Sequence, residues 1–275
     1  MVREVRDLDV TPGGRTRRPV TCRRGAGPDD ACTYDAAVIA PTLSTHNTPP
    51  MSLETVDLSP AATPVATVIV LHGLGADGTD FLPMCDELDL SAVGPVRFVM
   101  PRAPMIPVTI NGGHRMRAWY DILGAELGTG NGARREDEAG LRASMRQVHA
   151  LLDREVALGV PARRIVLAGF SQGCAMTLLA GLRYPQRLAG LVGLSGYLPL
   201  ADSTATERHV ANHDVPVFIG HGRQDEVVPM ARGQAGRAVL QALGHEVEWH
   251  DYPMAHSVCI EEINELNRWL LRVIA

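Results

Sequence analysis

The residues most able to do chemistry are a serine between two glycines, an aspartate and a histidine, in that order along the chain. Ser171 lies in Gly169-Phe170-Ser171-Gln172-Gly173, a G-x-S-x-G pattern. A serine hydroxyl is a weak nucleophile at neutral pH, so it needs a base that accepts its proton and a group that orients this base. When the serine sits on a strand-to-helix turn, the acid and then the histidine follow it in the sequence.

A strand-to-helix turn that carries the nucleophile is called a nucleophile elbow. The segments before and after Ser171 have the sequence that such a turn requires. The apolar run Ile165 to Ala168 predicts a buried strand, and Gln172 to Tyr184 predicts a buried helix that Pro185 ends. A Cβ at either glycine would collide with the neighbouring strand or helix in so tight a turn. The first N–H groups of the helix have no intrahelical partner and point toward developing negative charge.

The orienting acid must lie on a loop that follows a strand. Asp225 and Glu226 come directly after the strand and turn V-F-I-G-H-G, which favours Asp225, with Glu226 as a less favoured stand-in. Asp214 precedes that strand and so lies at the opposite end of the sheet, and Asp251 sits inside the last strand. The sequence therefore predicts Asp225 as the acid of the triad.

The base is predicted to be His256, which follows the final strand and precedes the final helix. A loop at that point could bring the imidazole over Ser171. The other histidines downstream of Ser171 either precede a strand, belong to one or approach Asp225; they are His209, His213, His221, His245 and His250.

A second glycine-rich segment predicts the site for the developing oxyanion. The strand Val65 to Leu71 ends in H-G-L-G, and such a loop supplies one N–H of the oxyanion hole while the residue after the nucleophile supplies the other. These N–H groups would belong to Leu74 and Gln172. The alternative is a simple glycine-rich turn. His72 fits a structural loop histidine better than a base.

Strands alternate with helices along the rest of the chain, which predicts a mainly parallel sheet covered on both faces. The strand Arg97 to Met100 opens into a long loop rich in Pro and Gly, in which Trp119 either lines a substrate cleft or caps the core. The remaining predicted strands are Leu188 to Leu194, Val215 to Ile219 and Glu246 to Tyr252; the remaining helices are Glu136 to Leu158, one from about Met230 that stops before Gly244, and a closing helix through Val273.

Composition excludes several classes of function. A formal net charge of −5 gives no reason to expect nucleic acid or an anionic membrane as a partner. All 26 basic residues are arginine, which excludes a lysine Schiff base and a Ser–Lys dyad. The five cysteines are widely spaced without a C-x-x-C pair, as expected of reduced thiols in a cytoplasmic protein. No metal-ligand cluster, cofactor motif or transmembrane run is present in the sequence, so we expect neither a metal nor a cofactor.

Residues 1–52 differ from the rest of the chain. They mix seven arginines with six acidic residues and proline- and glycine-rich turns, without sustained periodicity. Such a segment cannot bury enough apolar surface to offset its ordering entropy. We therefore expect a disordered extension, with Met51 as an alternative first residue, followed by a single folded domain over residues 53–275. The oligomeric state stays open, with a homodimer as one expectation.

Several motifs in the same order resemble the phospholipase/carboxylesterase family of α/β-hydrolases, which includes bacterial carboxylesterases and acyl-protein thioesterases. They are L-H-G-L-G-A-D-G, P-R-A-P, I-N-G-G with W-Y-D, R-E-D-E-A-G, G-F-S-Q-G, G-H-G-x-x-D-x-V-V-P and A-H-S-V. The resemblance covers about Ser52 to Ala275. It implies the α/β-hydrolase fold and, in addition, an apolar acyl pocket that involves Leu74, Trp119 and Val227.

The residues and the resemblance together predict a metal-free serine carboxylesterase for short- to medium-chain esters, with an acyl-enzyme on Ser171. An acyl-protein thioesterase or a lysophospholipase would use the same triad, and a non-catalytic binding protein is the alternative from another class. One departure from the family is that Arg115 and Arg117 occupy positions where relatives commonly carry apolar residues or proline. A long acyl chain would be less favoured beside them, unless both side chains face solvent.

Overall fold

The structure, a computed structural model, describes residues 52–124 and 136–274. The predicted N-terminal extension, apart from its last residue, lies outside the described residues. Within these ranges the chain forms nine strands, which are β1 (Thr55–Leu58), β2 (Ala66–Leu71), β3 (Val96–Pro101), β4 (Met105–Val108), β5 (His114–Arg117), β6 (Ile165–Phe170), β7 (Gly190–Leu194), β8 (Val217–Gly222) and β9 (Val247–Tyr252).

Seven of these strands form one sheet in the order β1-β3-β2-β6-β7-β8-β9. Strand β1 is antiparallel to β3, and every other neighbouring pair is parallel. Strand β2 pairs with β6 so that Leu71 lies opposite Gly169, which places the ends of the two strands side by side. The prediction of a mainly parallel sheet is confirmed.

Six α-helices cover the sheet within the described ranges. They are α1 (Leu82–Asp86), α2 (Glu138–Ala157), α3 (Gln172–Arg183), α4 (Ala201–Glu207), α5 (Met230–Ala242) and α6 (Ile260–Val273). Alternate side chains of β2 enter two separate cores, as the period of a strand requires. Ile69 packs in a core with residues of α2, α3 and α5, and Val68 packs in a core with residues of α1 and α6. Helices therefore lie on both faces of the sheet, as predicted.

The long loop after β3 contains a hairpin that sequence patterning did not predict. Strands β4 and β5 pair only with each other, in antiparallel register. The turn between them passes through Gly112 and Gly113 at φ values of 65° and 77°, which glycine adopts without steric cost. Each strand has four residues and β4 includes Pro107, so neither carries the apolar alternation by which a strand is recognised.

The strand-to-helix turn from β6 to α3 is closed by two glycines in direct contact. A Cβ added to Gly169 would overlap the backbone carbonyl of Gly173 and lie 2.7 Å from Oγ1 of Thr177. A Cβ added to Gly173 would overlap the carbonyl oxygen of Leu71 at the end of β2. The predicted role of both glycines is confirmed, because the helix can approach the two strands only without side chains there.

A carboxylic acid is buried between α6 and the sheet. Glu262, in the first turn of α6, is fully buried against Gly220 of β8, where an added Cβ would overlap the carboxylate. Burial, partly offset by a hydrogen bond from the backbone of Cys259, raises the pKa of Glu262 to about 8. The folded protein therefore favours the protonated carboxyl near neutral pH.

Replacing Gly173 by alanine is expected to destabilise the fold strongly, because the new Cβ meets backbone rather than a movable side chain. Overpacking of this kind costs about 3 kcal/mol or more, which lowers the melting temperature by roughly 10 °C. Gly112→Ala is the control, since nothing lies within 4 Å of its added Cβ. Its positive φ alone costs about 1–2 kcal/mol. Equal melting temperatures for the two variants, measured by circular dichroism, would contradict this account.

The protonation of Glu262 predicts a pH-dependent stability. Because its pKa is higher in the folded than in the unfolded chain, its contribution is fully present below about pH 4.5 and is lost as the pH rises toward about 8. Glu262→Gln should remove this slope and raise the melting temperature at about pH 8, by an amount that corresponds to a few kcal/mol. Glu261→Gln is the control, because Glu261 is the adjacent residue and is exposed. An unchanged slope in Glu262→Gln would refute the assignment.

Candidate active site

Ser171 occupies the tip of the turn between β6 and α3. It is the N-cap residue of α3, with φ 56° and ψ −116°, a backbone conformation that non-glycine residues rarely adopt. Its N–H donates to the carbonyl of Leu194 at 2.9 Å, and its own carbonyl accepts from the N–H of Ala175 at 3.2 Å. Conformations of this kind cost about 1–3 kcal/mol and persist where the surroundings enforce them, as the two glycines do here.

Asp225 lies on the loop that follows β8, and its carboxylate is fully buried. One oxygen, Oδ1, accepts from the N–H groups of Val227 at 2.9 Å and Val228 at 2.8 Å. The other, Oδ2, lies 2.7 Å from Nδ1 of His256. Both oxygens of this buried carboxylate therefore have partners: two N–H groups hold it in place, and the third contact orients the imidazole.

The other acids considered from the sequence lie elsewhere. Glu226 is exposed. Asp214 is largely exposed and pairs with Arg187 before β8 begins, and Asp251 pairs with Arg223 along β9.

His256 lies between β9 and α6 with its ring beside the elbow. The centroid of its ring is 4.7 Å from that of Phe170, the residue immediately before Ser171. With Nδ1 directed at the carboxylate of Asp225, the neutral imidazole carries its proton on Nδ1 and leaves Nε2 as an acceptor. This tautomer is the one that can accept a proton from a serine hydroxyl.

Two further histidines near the site have structural roles. Nδ1 of His72 lies 2.7 Å from the carbonyl of Gly73, and Nε2 accepts from the N–H of Ala103 at 2.9 Å. Nε2 of His221 lies 2.8 Å from the carbonyl of Val228, beneath the loop that carries Asp225. Burial lowers the pKa of both imidazoles, so both are neutral and occupied by backbone contacts. Neither is available as a general base.

The loop after β2 is tied to the first turn of α3 by a chain of hydrogen bonds. The indole Nε1 of Trp119 donates to the carbonyl of His72 at 2.8 Å. The side-chain amide of Gln172 accepts from the N–H of Trp119 and donates to the carbonyl of Tyr120, both at 3.0 Å. The N–H of Gln172 belongs to the first turn of α3, where helix geometry leaves it free for a ligand. Leu74 and Gln172 thus flank Ser171 on segments that are fixed to each other.

A cavity of about 150 Å³ lies beside Ser171. Its wall is mostly apolar and is formed by Leu74, Ile110, Tyr120, Ile122, Val227 and Val228, among others. A cavity of this volume holds a group of about the size of benzene. Trp119 is not part of this wall; its side chain is buried in the core with residues of α2 and α3. Of the two roles considered for Trp119, the structure places it in the core, and the adjacent Tyr120 lines the cavity instead.

An arginine that sequence reasoning missed also lines the cavity. Arg232, in the first turn of α5, is 8% exposed. Its buried Nε and Nη2 have no hydrogen-bond acceptor in the part of the chain that the structure describes, and its guanidinium carbon lies 3.6 Å from the centroid of the Tyr197 ring. Such stacking is worth about 0.5–2 kcal/mol, whereas burying an unpaired ion costs several kcal/mol. The ring alone therefore does not compensate the charge, and no pattern in M-A-R-G distinguishes this arginine from an exposed one.

The two arginines singled out in the sequence lie away from the cavity wall. Arg117 pairs with Asp77 at 3.0 Å and donates to the carbonyl of Ala103 at 3.0 Å. Arg115 is exposed and donates to the carbonyl of Met105 across the β4–β5 hairpin. Neither limits the length of an acyl group in this cavity.

Other nucleophiles and ligand sets are not available at this edge of the sheet. Burial raises the pKa of Cys174, in the first turn of α3, to about 12, so its thiol stays protonated. Within residues 52–124 and 136–274, no three His, Cys, Asp or Glu side chains are grouped so that they could hold a metal ion. In the same ranges no helix has both the length and the apolar character needed to cross a membrane.

The comparisons with known proteins agree on one family. The family model described as phospholipase/carboxylesterase matches residues 55–274. Acyl-protein thioesterase 1 of Yarrowia lipolytica is 39% identical over 209 residues, which cover 74% of this chain and 90% of the relative.

Solved structures of two plant proteins are also similar. SOBER1 of Arabidopsis thaliana has a TM-score of 0.71 at 30% identity and covers 76% of this chain and 99% of its own. Acyl-protein thioesterase 2 of Zea mays has a TM-score of 0.69 at 28% identity and covers 81% of this chain and all of its own. Since family and relatives are hydrolases, the alternative of a non-catalytic binding protein is set aside. The chain belongs to the phospholipase/carboxylesterase family and is a serine hydrolase of carboxylic esters with the α/β-hydrolase fold.

Proposed function

We propose that the chain is an acyl-protein thioesterase-like enzyme, which hydrolyses acyl thioesters and the matched oxygen esters by one mechanism. The observation that carries this proposal is the pair formed by Asp225 and His256, 2.7 Å apart, with the imidazole packed beside the elbow of Ser171. The 39% identity with a relative named acyl-protein thioesterase 1 supports the thioester as substrate rather than the oxygen ester alone.

In this proposal Ser171 is the nucleophile. Its hydroxyl attacks the acyl carbonyl while Nε2 of His256 takes the proton, and Asp225 holds the imidazole in the required tautomer and stabilises its charged form. The same imidazole then gives the proton to the departing alcohol or thiol. Water attacks the acyl-enzyme in the second half of the reaction and releases the carboxylic acid.

The negative charge on the carbonyl oxygen would be held by the N–H groups of Leu74 and Gln172. The N–H of Gln172 is aligned by the start of α3, and the loop of Leu74 is held by the contacts of His72 and Trp119. Donors fixed in place before the reaction cost no reorganisation when charge develops, and one such donor is worth about 10²–10³ in turnover.

The cavity beside Ser171 is the proposed acyl pocket, with Leu74 and Val227 in its wall. Its volume suits a short acyl group of about six heavy atoms. Acylated side chains of a protein and acylated small thiols both present such a group at the end of a flexible stem. Butyryl esters and thioesters are therefore suitable test substrates.

Hydrolysis of an S-butyryl thioester is expected to proceed with kcat/KM at least equal to that of the O-butyryl ester with the same alkyl group. Ser171→Ala should reduce turnover of both substrates by as much as about 10⁶-fold, because the nucleophile is lost. Activity on the oxygen ester alone would exclude the thioesterase proposal and leave an esterase. Full hydrolysis by the alanine variant would overturn the role of Ser171.

Asp225→Asn is expected to lower kcat by about 10³–10⁴-fold, since an amide favours the wrong tautomer of His256; the corresponding change in a serine protease costs about 10⁴. The amide oxygen can still accept from Val227 and Val228, so the melting temperature should change little. Glu226→Gln, at the adjacent exposed position, is the matched control and should keep near-normal kcat. A comparable loss in both variants would contradict the assignment of Asp225.

A further inference from the structure

We propose that Arg232 recognises a carboxylate at the far end of the acyl group, so that the preferred substrates are half-esters and half-thioesters of short dicarboxylic acids. This inference rests on the proposed function and names its substrate class. It concerns the charged part of the pocket wall, which binding of an apolar chain does not explain.

The charge on Arg232 has no anion to balance it within the described residues. Among residues 52–124 and 136–274, its buried Nε and Nη2 have no acceptor and its side chain forms no ion pair. Asp225, seven positions earlier, is engaged by His256 and two N–H groups and forms no ion pair with Arg232 among the described residues, and Glu226 is exposed. An arginine keeps its charge at every pH at which proteins fold, so the pocket presents a permanent cation.

The guanidinium is also held in a fixed orientation. It stacks on the ring of Tyr197, whose hydroxyl lies 2.7 Å from that of Tyr120 in the same cavity wall. A planar guanidinium fixed in this way presents its N–H groups as a fork, the geometry that binds a carboxylate through two parallel hydrogen bonds. Nε and Nη2 are enclosed by protein atoms, so a carboxylate in the cavity would be held at Nη1, the guanidinium nitrogen that is not enclosed.

Ser171 and Arg232 line the same cavity, so one ligand can contact both. Beyond its reacting carbonyl, a glutaryl group has three methylenes and a carboxylate, which matches the capacity of about six heavy atoms. The methylenes would lie against Leu74, Val227 and Ile110, and the carboxylate would replace the missing partner of the arginine. An apolar acyl chain of equal length would leave the cation buried and unpaired.

The chemistry itself is that of the proposed mechanism. The hydroxyl of Ser171 forms a bond with the ester carbonyl of the half-ester, and the bond to the alcohol or thiol breaks as that group leaves with the proton carried by His256. Water then hydrolyses the acyl-enzyme, and the free dicarboxylic acid is released. The carboxylate near Arg232 takes no part in bond making; Arg232 is a specificity-determining residue.

The test compares monoethyl glutarate with ethyl hexanoate, a neutral ester of similar length, with acid release followed in a pH-stat. The wild-type enzyme should prefer monoethyl glutarate in kcat/KM. Arg232→Met should lower the ratio of the two kcat/KM values by about 10–100-fold, as expected for loss of hydrogen bonds to a charged group. Arg232→Lys, which keeps the charge without the fork, should give an intermediate ratio.

Arg237→Met is the matched control, because Arg237 lies on the same helix over the ring of Trp249 and outside the cavity. Its ratio of the two kcat/KM values should equal that of the wild type.

Carboxymethyl butyrate carries the carboxylate on the alcohol side. It tests whether Arg232 binds a carboxylate of the leaving group or one of the acyl group. If this ester is preferred and the preference depends on Arg232, the carboxylate belongs to the leaving group and the assignment to the acyl group is wrong.

A binding measurement tests the inference independently of the proposed function. Glutarate should raise the melting temperature of the Ser171→Ala protein and should not raise that of Ser171→Ala combined with Arg232→Met. If no ester is cleaved but glutarate stabilises in this way, the proposed function fails and the anion site stands. Equal wild-type rates on both ethyl esters, with no effect of glutarate on the melting temperature, would overturn the inference.

Discussion

The absence of room for any Cβ where β6, α3 and β2 meet is the constraint on which the site depends. Gly169 and Gly173 bring the start of α3 against the ends of both strands, and the chain between them can turn only through a backbone conformation that is rare for serine. The same close approach brings the first N–H groups of α3 next to the loop of Leu74. A single packing contact therefore sets the positions of both the Ser171 hydroxyl and the N–H groups proposed to bind the oxyanion.

Hydrogen bonding of the buried polar groups around this turn is a second feature that fixes the site. The carboxylate of Asp225, the imidazole of His72 and the amide of Gln172 each have their buried atoms satisfied, mostly by backbone groups. Partners of this kind cannot rotate away as side chains can, so the loops that carry them are held without a dedicated hydrophobic core. Arg232 differs from these three groups, because two of its buried nitrogens have no partner among the described residues while its side chain lines the cavity, and we therefore infer a ligand there.

The parts of this candidate site that follow from chain order could be predicted from the sequence, and their catalytic roles stay predictions. The glycine pair, the choice of Asp225 over Glu226 and the placement of His256 all depend on which end of a strand a residue follows. The parallel sheet and the faces of its helices followed from the same alternation. Side-chain direction could not be predicted in this way. Trp119 and Tyr120 both pack in the core, yet Tyr120 also lines the cavity and Trp119 does not. Arg232 is covered by Tyr197, which comes from a distant loop. The β4–β5 hairpin was missed because its strands are too short to show a period.

If His256 is the base, as proposed, the strand order has a consequence for how the enzyme would lose activity. Ser171 follows β6 at the centre of the sheet, whereas His256 follows β9, which forms one edge. Edge strands and terminal helices open locally at lower free energy than a central strand does. Detachment of β9 and α6 would carry the imidazole away while the elbow stayed intact. Turnover would then cease in a molecule that is still mostly folded. Loss of catalysis would therefore report local opening at one edge of the sheet and not global unfolding.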